Sequence, residues 1–220
     1  MDNPENIYLP IFVDLSGKLV VVVGGGMVAA RKVESLVKAG ALVKVIAPVA
    51  VDEIVRYPDV RIELREYEED DLEGAFLVIA ATDSEKINRA VSEEAFDRHI
   101  FCNVVDRPEL CSFIVPSVVE RGPIKVAIST GGFSPALSRR LSALIGKNIG
   151  DEYVGLAAIL GLIRPIVRSQ AGNPEDHKRV FELLIDSELI DAVRSGDRKQ
   201  AEDILFQALG KHIDLQGIIP

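Results

Sequence analysis

Three consecutive glycines, Gly24 to Gly26, follow the apolar run Leu19 to Val23 and precede a helical pattern that includes Ala29. The spacing G-x-G-x-x-A between a strand and a helix is typical of a turn that holds the pyrophosphate of a dinucleotide. The first glycine permits the tight turn, the third lets the phosphate approach the backbone, and the small alanine lets the helix pack on the strand. A structural glycine turn without a ligand is the alternative.

The expected cofactor site has a pyrophosphate part and a ribose part. The pyrophosphate part comprises Gly24, Gly25, Gly26, Met27 and Val28, where the helix start offers free N–H groups. An acidic residue about 20 positions further on commonly binds the adenine ribose, but this chain has Ala47, Pro48 and Val49 there, and the nearest acids are Asp52 and Glu53. Either backbone groups near residues 47–49 hold the ribose or the cofactor choice is relaxed, so NAD and NADP both stay open.

Polar residues also follow two later strands of the predicted sheet. Thr82 and Asp83 follow one, and Asn103 and Asp106 stand at the end of the next. Ligands of doubly wound sheets bind at the carboxyl ends of strands, so Thr82, Asp83 and Asn103 are candidates for the nicotinamide side. Asp106 is the candidate acid or base. The alternatives are a helix cap at residues 82–84 and a turn-forming aspartate at 106.

A second glycine-containing loop leads into a basic helix. Glycines before a capped helix favour an anion site, and the arginines and lysine nearby could bind carboxylates. The candidate residues for a carboxylate-bearing substrate are Ser129, Thr130, Gly131, Gly132, Ser134, Arg139, Arg140 and Lys125. An ordinary helix cap followed by solvated arginines is the alternative.

Hydrophobic periodicity predicts the elements that position these residues. Strands are expected at residues 19–23, 42–46, 60–65, 76–81 and 100–105, with helices between them. This alternation predicts an α/β fold, a Rossmann-type doubly wound parallel sheet. Two β-rich runs at residues 112–119 and 124–129 follow, and helices are expected at residues 135–148, 151–169, 174–186 and 197–209. The tail after Gly210 is expected to be loosely held.

The composition excludes several classes of function. The formal net charge of −9 argues against binding nucleic acid, which needs clustered Lys and Arg. Neither the two cysteines nor His99, His177 and His212 have metal-ligand spacing, so no metal site is expected. The polar residues 1–5 do not form a signal peptide, and no apolar run reaches the roughly 18 residues of a membrane helix. We therefore expect a cytoplasmic protein.

One predicted helix, at residues 151–169, is apolar on nearly all sides. It contains Leu156, Ile159, Leu160 and Ile163, and such a helix must be buried. Because the small helical part offers it few partners, we expect a contact between subunits and hence a dimer.

The motifs together resemble the precorrin-2 dehydrogenase family, the first module of sirohaem synthase. The resemblance covers about residues 7 to 150. It is carried by Leu9-Pro10-Ile11-Phe12, the glycine turn with Val28-Ala29 and Arg31-Lys32, Ala80-Ala81-Thr82-Asp83, Phe101 to Asp106, Ser112 to Ser117, and Ser129 to Pro135.

This resemblance implies oxidation of precorrin-2, a tetrapyrrole rich in carboxylates, to sirohydrochlorin with NAD as hydride acceptor. It implies that Asp106 is the key catalytic residue and that Fe²⁺ insertion is a possible second activity. Thr130 stands where some members have a phosphorylated serine. A homodimer is implied, with an NAD-binding domain at residues 1–111, a dimerisation region at 112–150 and a helical domain at 151–220. Because the chain ends at Pro220, we expect no transmethylase module after it. An NAD(H)-sensing regulatory module without catalysis is the rival function.

Overall fold

The computed structural model describes residues 8–170 and 172–219. The chain divides into two compact units, and the boundary lies between Val115 and Pro116. Residues 1–7 lie outside the described residues, and they include residues 1–5, for which we predict no signal peptide. The first unit contains a five-stranded, wholly parallel sheet in the order β3-β2-β1-β4-β5. Its strands are β1 (Leu19–Val23), β2 (Leu42–Ile46), β3 (Arg61–Glu63), β4 (Leu77–Ala80) and β5 (Phe101–Val104). This order is that of a Rossmann-type fold, as predicted.

Three helices connect these strands. They are α1 (Met27–Lys38), α2 (Asp52–Val55) and α3 (Glu85–Asp97). Alternate residues of the central strands face two separate cores, because side chains of a strand point to opposite faces in turn. Val20 and Val22 pack in one core with α1, whereas Val21 and Val23 pack in the other core with α3. Both faces of the sheet are therefore covered, as continuous apolar strands require.

The second unit begins with an antiparallel hairpin. Its strands are β6 (Ser117–Arg121) and β7 (Ile124–Ile128), followed by α4 (Pro135–Asn148). The predicted β-rich run began at residue 112, but the strand starts only at Ser117. The reason is that Ser112 and Phe113 instead donate their N–H groups to the carbonyl of Cys102 in the first unit.

Four further helices complete the second unit. They are α5 (Asp151–Ser169), α6 (Pro174–Ile185), α7 (Leu189–Ser195) and α8 (Arg198–Leu209). The predicted starts of α4 and α6 are confirmed, because Ser134 accepts from the N–H of Leu137 and Asn173 forms a capping box with Asp176. Helix α7 is absent from the sequence prediction.

The core of the second unit corrects the expectation of a loosely held tail. Ile159 and Ile163 are fully buried inside their own unit, in a core shared with α6, α7 and α8. The tail also belongs to this core, since Leu215 and Ile219 are buried and the N–H of Leu215 donates to Glu202. The tail is thus firmly held rather than loose. Most of the apolar surface of α5 is covered within the unit, but Leu162 stays 44% exposed.

Replacing Leu215 with Ala should lower the free energy of unfolding by about 2–5 kcal/mol, the usual cost of a cavity left by a buried leucine. Urea unfolding followed by helical circular dichroism measures it. Leu183→Ala is the matched control, because Leu183 of α6 is 64% exposed and its truncation should cost less than about 0.5 kcal/mol. Equal effects of the two changes would contradict the buried tail.

Candidate functional site

The glycine turn joins β1 to α1 at the carboxyl edge of the sheet. Gly24 is buried at a φ of +123°, and a Cβ there would lie 2.3 Å from the carbonyl oxygen of Ala81. A Cβ on Gly25 would lie 1.9 Å from the carbonyl oxygen of Val49. Gly26 differs, because it is exposed and a Cβ there would meet nothing within 4 Å. Packing therefore requires the first two glycines, while the third leaves open the space that a phosphate needs.

The start of α1 lies beside that open space. Among the described residues no side chain caps the helix at Gly26, and its first turn contains no acid. The N–H groups of a first helical turn have no partner within the helix and carry a partial positive charge, so they attract anions. Met27 and Val28 are both exposed. Residues 26–28 therefore fit the pyrophosphate of a dinucleotide.

The loop after β2 is bonded directly to the glycine turn. The N–H of Gly24 donates to Ile46 and that of Val51 donates to the carbonyl of Gly25, both at 2.9 Å. Ala47 is buried, whereas Pro48 and Val49 are exposed. Residues 47–49, the expected ribose residues, therefore lie next to the expected pyrophosphate site. Asp52 and Glu53 are exposed at the start of α2.

The loop after β4 uses its hydroxyl groups internally. Ser84 caps α3 by accepting from the N–H of Ile87. The hydroxyl of Thr82 donates to the side-chain oxygen of Asn88 at 2.8 Å and accepts from the N–H of Ser84 at 3.2 Å. Asp83 is exposed beside them. Thr82 thus supports the helix start, and Asp83 remains open at the carboxyl edge.

The amide of Asn103 in β5 ties the following segment to the sheet. Asn103 is buried, and its amide nitrogen donates to the carbonyl of Phe113 at 3.0 Å. The sulfur of Cys111 accepts from the N–H of Val104 at 3.1 Å. Burial raises the pKa of the Cys102 thiol to about 12 and also raises the pKa of Cys111. Both thiols are therefore neutral near pH 7 and unsuited to nucleophilic chemistry.

Asp106 lies just past the end of β5 with a φ of +59°, a left-handed conformation that Asp tolerates better than most residues. Its side chain is exposed and makes no hydrogen bond or ion pair with any residue that the structure describes. The neighbouring Arg107 is paired with Glu85 at 3.3 Å. Asp106 thus presents an unengaged carboxylate at the same sheet edge as the glycine turn, where it could accept a proton.

Lys32 of α1 is a half-buried cation. The sequence analysis names it only as part of a family motif and does not assign it to the site. Within the described part of the chain its ammonium makes no hydrogen bond or ion pair. Burial lowers the pKa of Lys32, the neighbouring Arg31 lowers it further, and the carboxylate of Asp106 acts in the opposite direction. Lys32 is therefore an unpaired, half-buried cation in the unit that also contains Asp106.

The second unit contains a basic segment, which we define as residues 121–148. It carries five basic residues and no acidic one, in a chain with a net charge of −9; they are Arg121, Lys125, Arg139, Arg140 and Lys147. Arg139 and Arg140 are exposed, and neither makes an ion pair with a described residue. Lys125 pairs with Glu120 at 3.0 Å. The two arginines are thus available to an anionic ligand.

The loop before α4 is shaped by its own hydroxyls. The hydroxyl of Thr130 accepts from the N–H of Ser134 and lies 3.1 Å from that of Ser138. Ser129 accepts from the N–H of Gly131 at 3.0 Å. A Cβ on Gly132 would meet nothing within 4 Å. Thr130 and Ser129 therefore hold the loop, while its glycines leave the backbone open to solvent.

The described residues lack two further features. They contain no group of three or more His, Cys, Asp or Glu side chains that could hold a metal ion. They also contain no helix with the length and apolarity needed to cross a membrane.

Comparison with known proteins gives matches along most of the chain. Residues 11–117 match the family model described as "Putative NAD(P)-binding", and residues 152–209 match the one described as "Sirohaem synthase dimerisation region". Proteins named sirohaem synthase from Thioalkalivibrio sulfidiphilus and Photorhabdus laumondii are 41% and 42% identical to it over 94% and 96% of its length. The chain belongs to the sirohaem synthase family.

The chain spans 43% and 45% of the length of these two sirohaem synthases. A solved structure, "SirC, precorrin-2 dehydrogenase", is 23% identical with a TM-score of 0.77, and the match covers 93% of this chain and all of that one. This similarity confirms the predicted fold, a parallel α/β sheet followed by a helical part. The dimerisation model falls on α5 to α8, so our assignment of residues 112–150 to dimerisation stays a prediction.

Sequence reasoning missed two features of the site. The contact between Gly25 and the loop after β2 has no sequence signal, because it joins residues that are distant in the chain. Lys32 had a signal, since Arg31-Lys32 directly follows the glycine pattern, but its burial and its proximity to Asp106 depend on the folded structure.

Gly26→Ala should separate cofactor binding from folding. The added methyl group occupies the space beside the start of α1, so the dissociation constant for NAD should rise by about tenfold or more, equivalent to about 1.4 kcal/mol. The free energy of unfolding should change by less than about 1 kcal/mol, since the site is open without a ligand. Calorimetric titration and urea unfolding measure the two quantities.

Gly25→Ala is the contrasting variant, because its methyl group would collide with the carbonyl of Val49. We expect it to lose stability as well as NAD affinity. Unchanged NAD affinity in Gly26→Ala would contradict the assignment of the turn.

Proposed function

We propose that this protein oxidises precorrin-2 to sirohydrochlorin, with NAD as the hydride acceptor. The oxidation removes two hydrogens from the macrocycle: one leaves as a hydride to the cofactor and the other as a proton to a base. Bound NAD supplies the electrophilic nicotinamide ring. The residues of this chain bind the cofactor, hold the substrate and receive the proton.

One observation carries this proposal. An open pyrophosphate site at Gly26 and the unengaged carboxylate of Asp106 lie at the same carboxyl edge of a parallel sheet, in a chain of the sirohaem synthase family. Ligands of doubly wound sheets bind at this edge. A cofactor and a base at one edge are what removal of a hydride and a proton requires.

Cofactor binding is divided among three loops and the end of β5 in this proposal. Gly24 to Val28 hold the pyrophosphate through the start of α1. Ala47 to Val49 hold the adenine ribose through backbone groups, because no carboxylate follows β2 directly. Thr82, Asp83 and Asn103 line the nicotinamide side, where Thr82 and Asn103 also shape the loops through the hydrogen bonds described above.

Substrate binding is assigned to the loop before α4 and to the basic segment. Ser129 to Gly132 and Ser134 shape a loop that leaves backbone open at Gly132, and Lys125, Arg139 and Arg140 offer positive charge. Guanidinium groups form strong paired hydrogen bonds with carboxylates, the groups in which precorrin-2 is rich.

We also propose a homodimer. The match of residues 152–209 to a sirohaem synthase dimerisation region supports it. Exposed apolar side chains in residues 112–150, including Val118, Phe133 and Leu137, support an additional role for this region in the contact. The domain limits proposed are 1–111 for NAD binding, 112–150 for dimerisation and 151–220 for the helical domain.

Asp106→Asn should lower kcat for precorrin-2 oxidation by about 10²-fold or more, because the amide cannot accept the proton. Asn tolerates a positive φ as Asp does, so the backbone should not change. Formation of NADH, followed by absorbance, measures the rate. The NAD dissociation constant should stay within about twofold of wild type.

The same variant tests whether Fe²⁺ is a second substrate. Insertion of iron into sirohydrochlorin releases the pyrrole protons, so a shared base would slow both reactions in Asp106→Asn. A full oxidation rate in this variant would contradict the role of Asp106.

The rival function is tested with the wild-type protein. An NAD(H)-sensing module would bind NAD but would form no NADH when precorrin-2 is added.

Replacing both Arg139 and Arg140 with Ala should raise KM for precorrin-2 by about tenfold or more, because two charge-assisted hydrogen bonds to carboxylates are lost. NAD affinity should not change. Steady-state kinetics with varied precorrin-2 measures this. Arg164→Ala/Arg168→Ala removes the same charge from exposed positions of α5, and its KM should remain near wild type. A similar rise in both double variants would point to overall charge instead of a local site.

A further inference from the structure

We propose that Lys32 is a substrate-binding residue whose ammonium binds a carboxylate of the tetrapyrrole beside Asp106. This inference rests on the proposed function and adds an anchor in the first unit, separate from the basic segment of the second unit.

The position of Lys32 on α1 directs it toward the site. The helix starts at Met27, so Lys32 stands in its second turn. Side chains of a helix lean toward its N-terminus, and a lysine stem is long enough to span about one turn. A lysine at this position can therefore reach back toward the carboxyl edge, where the glycine turn and Asp106 lie.

The segment that contains Asp106 packs on the same face of the sheet as α1. Val105, which directly precedes Asp106, packs against the core that contains Ala29 and Val33 of α1. Phe113, further along the segment after β5, packs against the same core. Lys32 directly precedes Val33, so both charged residues flank one packed surface. The electrostatic effect of Asp106 on Lys32 agrees with this placement.

Neither Lys32 nor Asp106 is paired with a described residue. Their neighbours are engaged, since Arg31 donates to the carbonyl of Met27 at 3.4 Å and Arg107 pairs with Glu85. In the described part of the chain, Lys32 and Asp106 make no ion pair with each other or with other residues. An unpaired ammonium and an unpaired carboxylate are both available to a ligand that carries an acceptor and a donor.

A tetrapyrrole meets that requirement. Its side-chain carboxylates are acceptors for an ammonium, and its pyrrole N–H groups are donors to a carboxylate. Burial and Arg31 lower the pKa of Lys32, so its charge has a net cost in the free protein. A bound carboxylate would offset this cost, which makes the site selective for an anionic group.

The experiment compares Lys32→Met, Lys32→Arg and Arg31→Met in the full chain. Methionine keeps an unbranched apolar stem and removes the charge. We expect Lys32→Met to raise KM for precorrin-2 about tenfold or more, with a smaller change in kcat, and to weaken binding of sirohydrochlorin to the same extent. Absorbance titration of sirohydrochlorin measures binding without turnover.

Two controls separate binding from a structural effect. Lys32→Arg keeps the charge and should recover most of the affinity. Arg31→Met removes a neighbouring cation from the exposed side of the same helix and should leave KM near wild type. The NAD dissociation constant should stay within about twofold in all three variants.

The outcomes distinguish this inference from the proposed function. If wild type neither oxidises precorrin-2 nor binds sirohydrochlorin, the proposed function fails. If wild type is active but Lys32→Met keeps its affinity for both tetrapyrroles, only the role of Lys32 fails. Weaker NAD binding in Lys32→Met with unchanged tetrapyrrole binding would assign Lys32 to the cofactor and overturn the inference.

Discussion

Two backbone carbonyls pack directly against the glycine turn, and the organisation of the carboxyl edge depends on this contact. The oxygens of Ala81 and Val49 occupy the places that Cβ atoms of Gly24 and Gly25 would fill. The loops after β4 and β2 can therefore approach the end of β1 from both sides. This approach gathers residues from distant parts of the sequence around the start of α1. A larger residue at either glycine would push the neighbouring loop away, whether or not a ligand is bound.

The elements of the first unit could be predicted because local signals agree with the tertiary structure. Val20 to Val23 are apolar without interruption, and a strand covered on both faces needs that composition. Ser134-Pro135 and Asn173-Pro174 also predicted helix starts correctly, because capping is a local interaction. Helix α7 was missed since it has only seven residues and no side-chain cap. The tail was misjudged because the burial of Leu215 depends on α5 and α8, which its own sequence does not reveal.

For the site, the sequence predicted the positions of the residues but not their hydrogen-bond partners. Spacing identified the glycine turn and the polar residues at the strand ends, since the carboxyl ends of parallel strands meet at one edge. Spacing could not show that the amide of Asn103 donates to the carbonyl of Phe113, or that the hydroxyl of Thr82 donates to Asn88. Nor could it show that Arg107 is paired while Asp106 is not. Which polar groups remain available for a ligand is decided by tertiary hydrogen bonds.

The start of α1 has a thermodynamic consequence. A helix that has no side-chain cap and no acid in its first turn leaves N–H groups for solvent or a ligand to satisfy. An anion bound there completes the helix, so part of its binding energy is also folding energy. By mass action, a ligand that binds only the folded chain shifts the unfolding equilibrium in proportion to the logarithm of its concentration. The stability of the first unit is thereby linked to the supply of the dinucleotide in its surroundings.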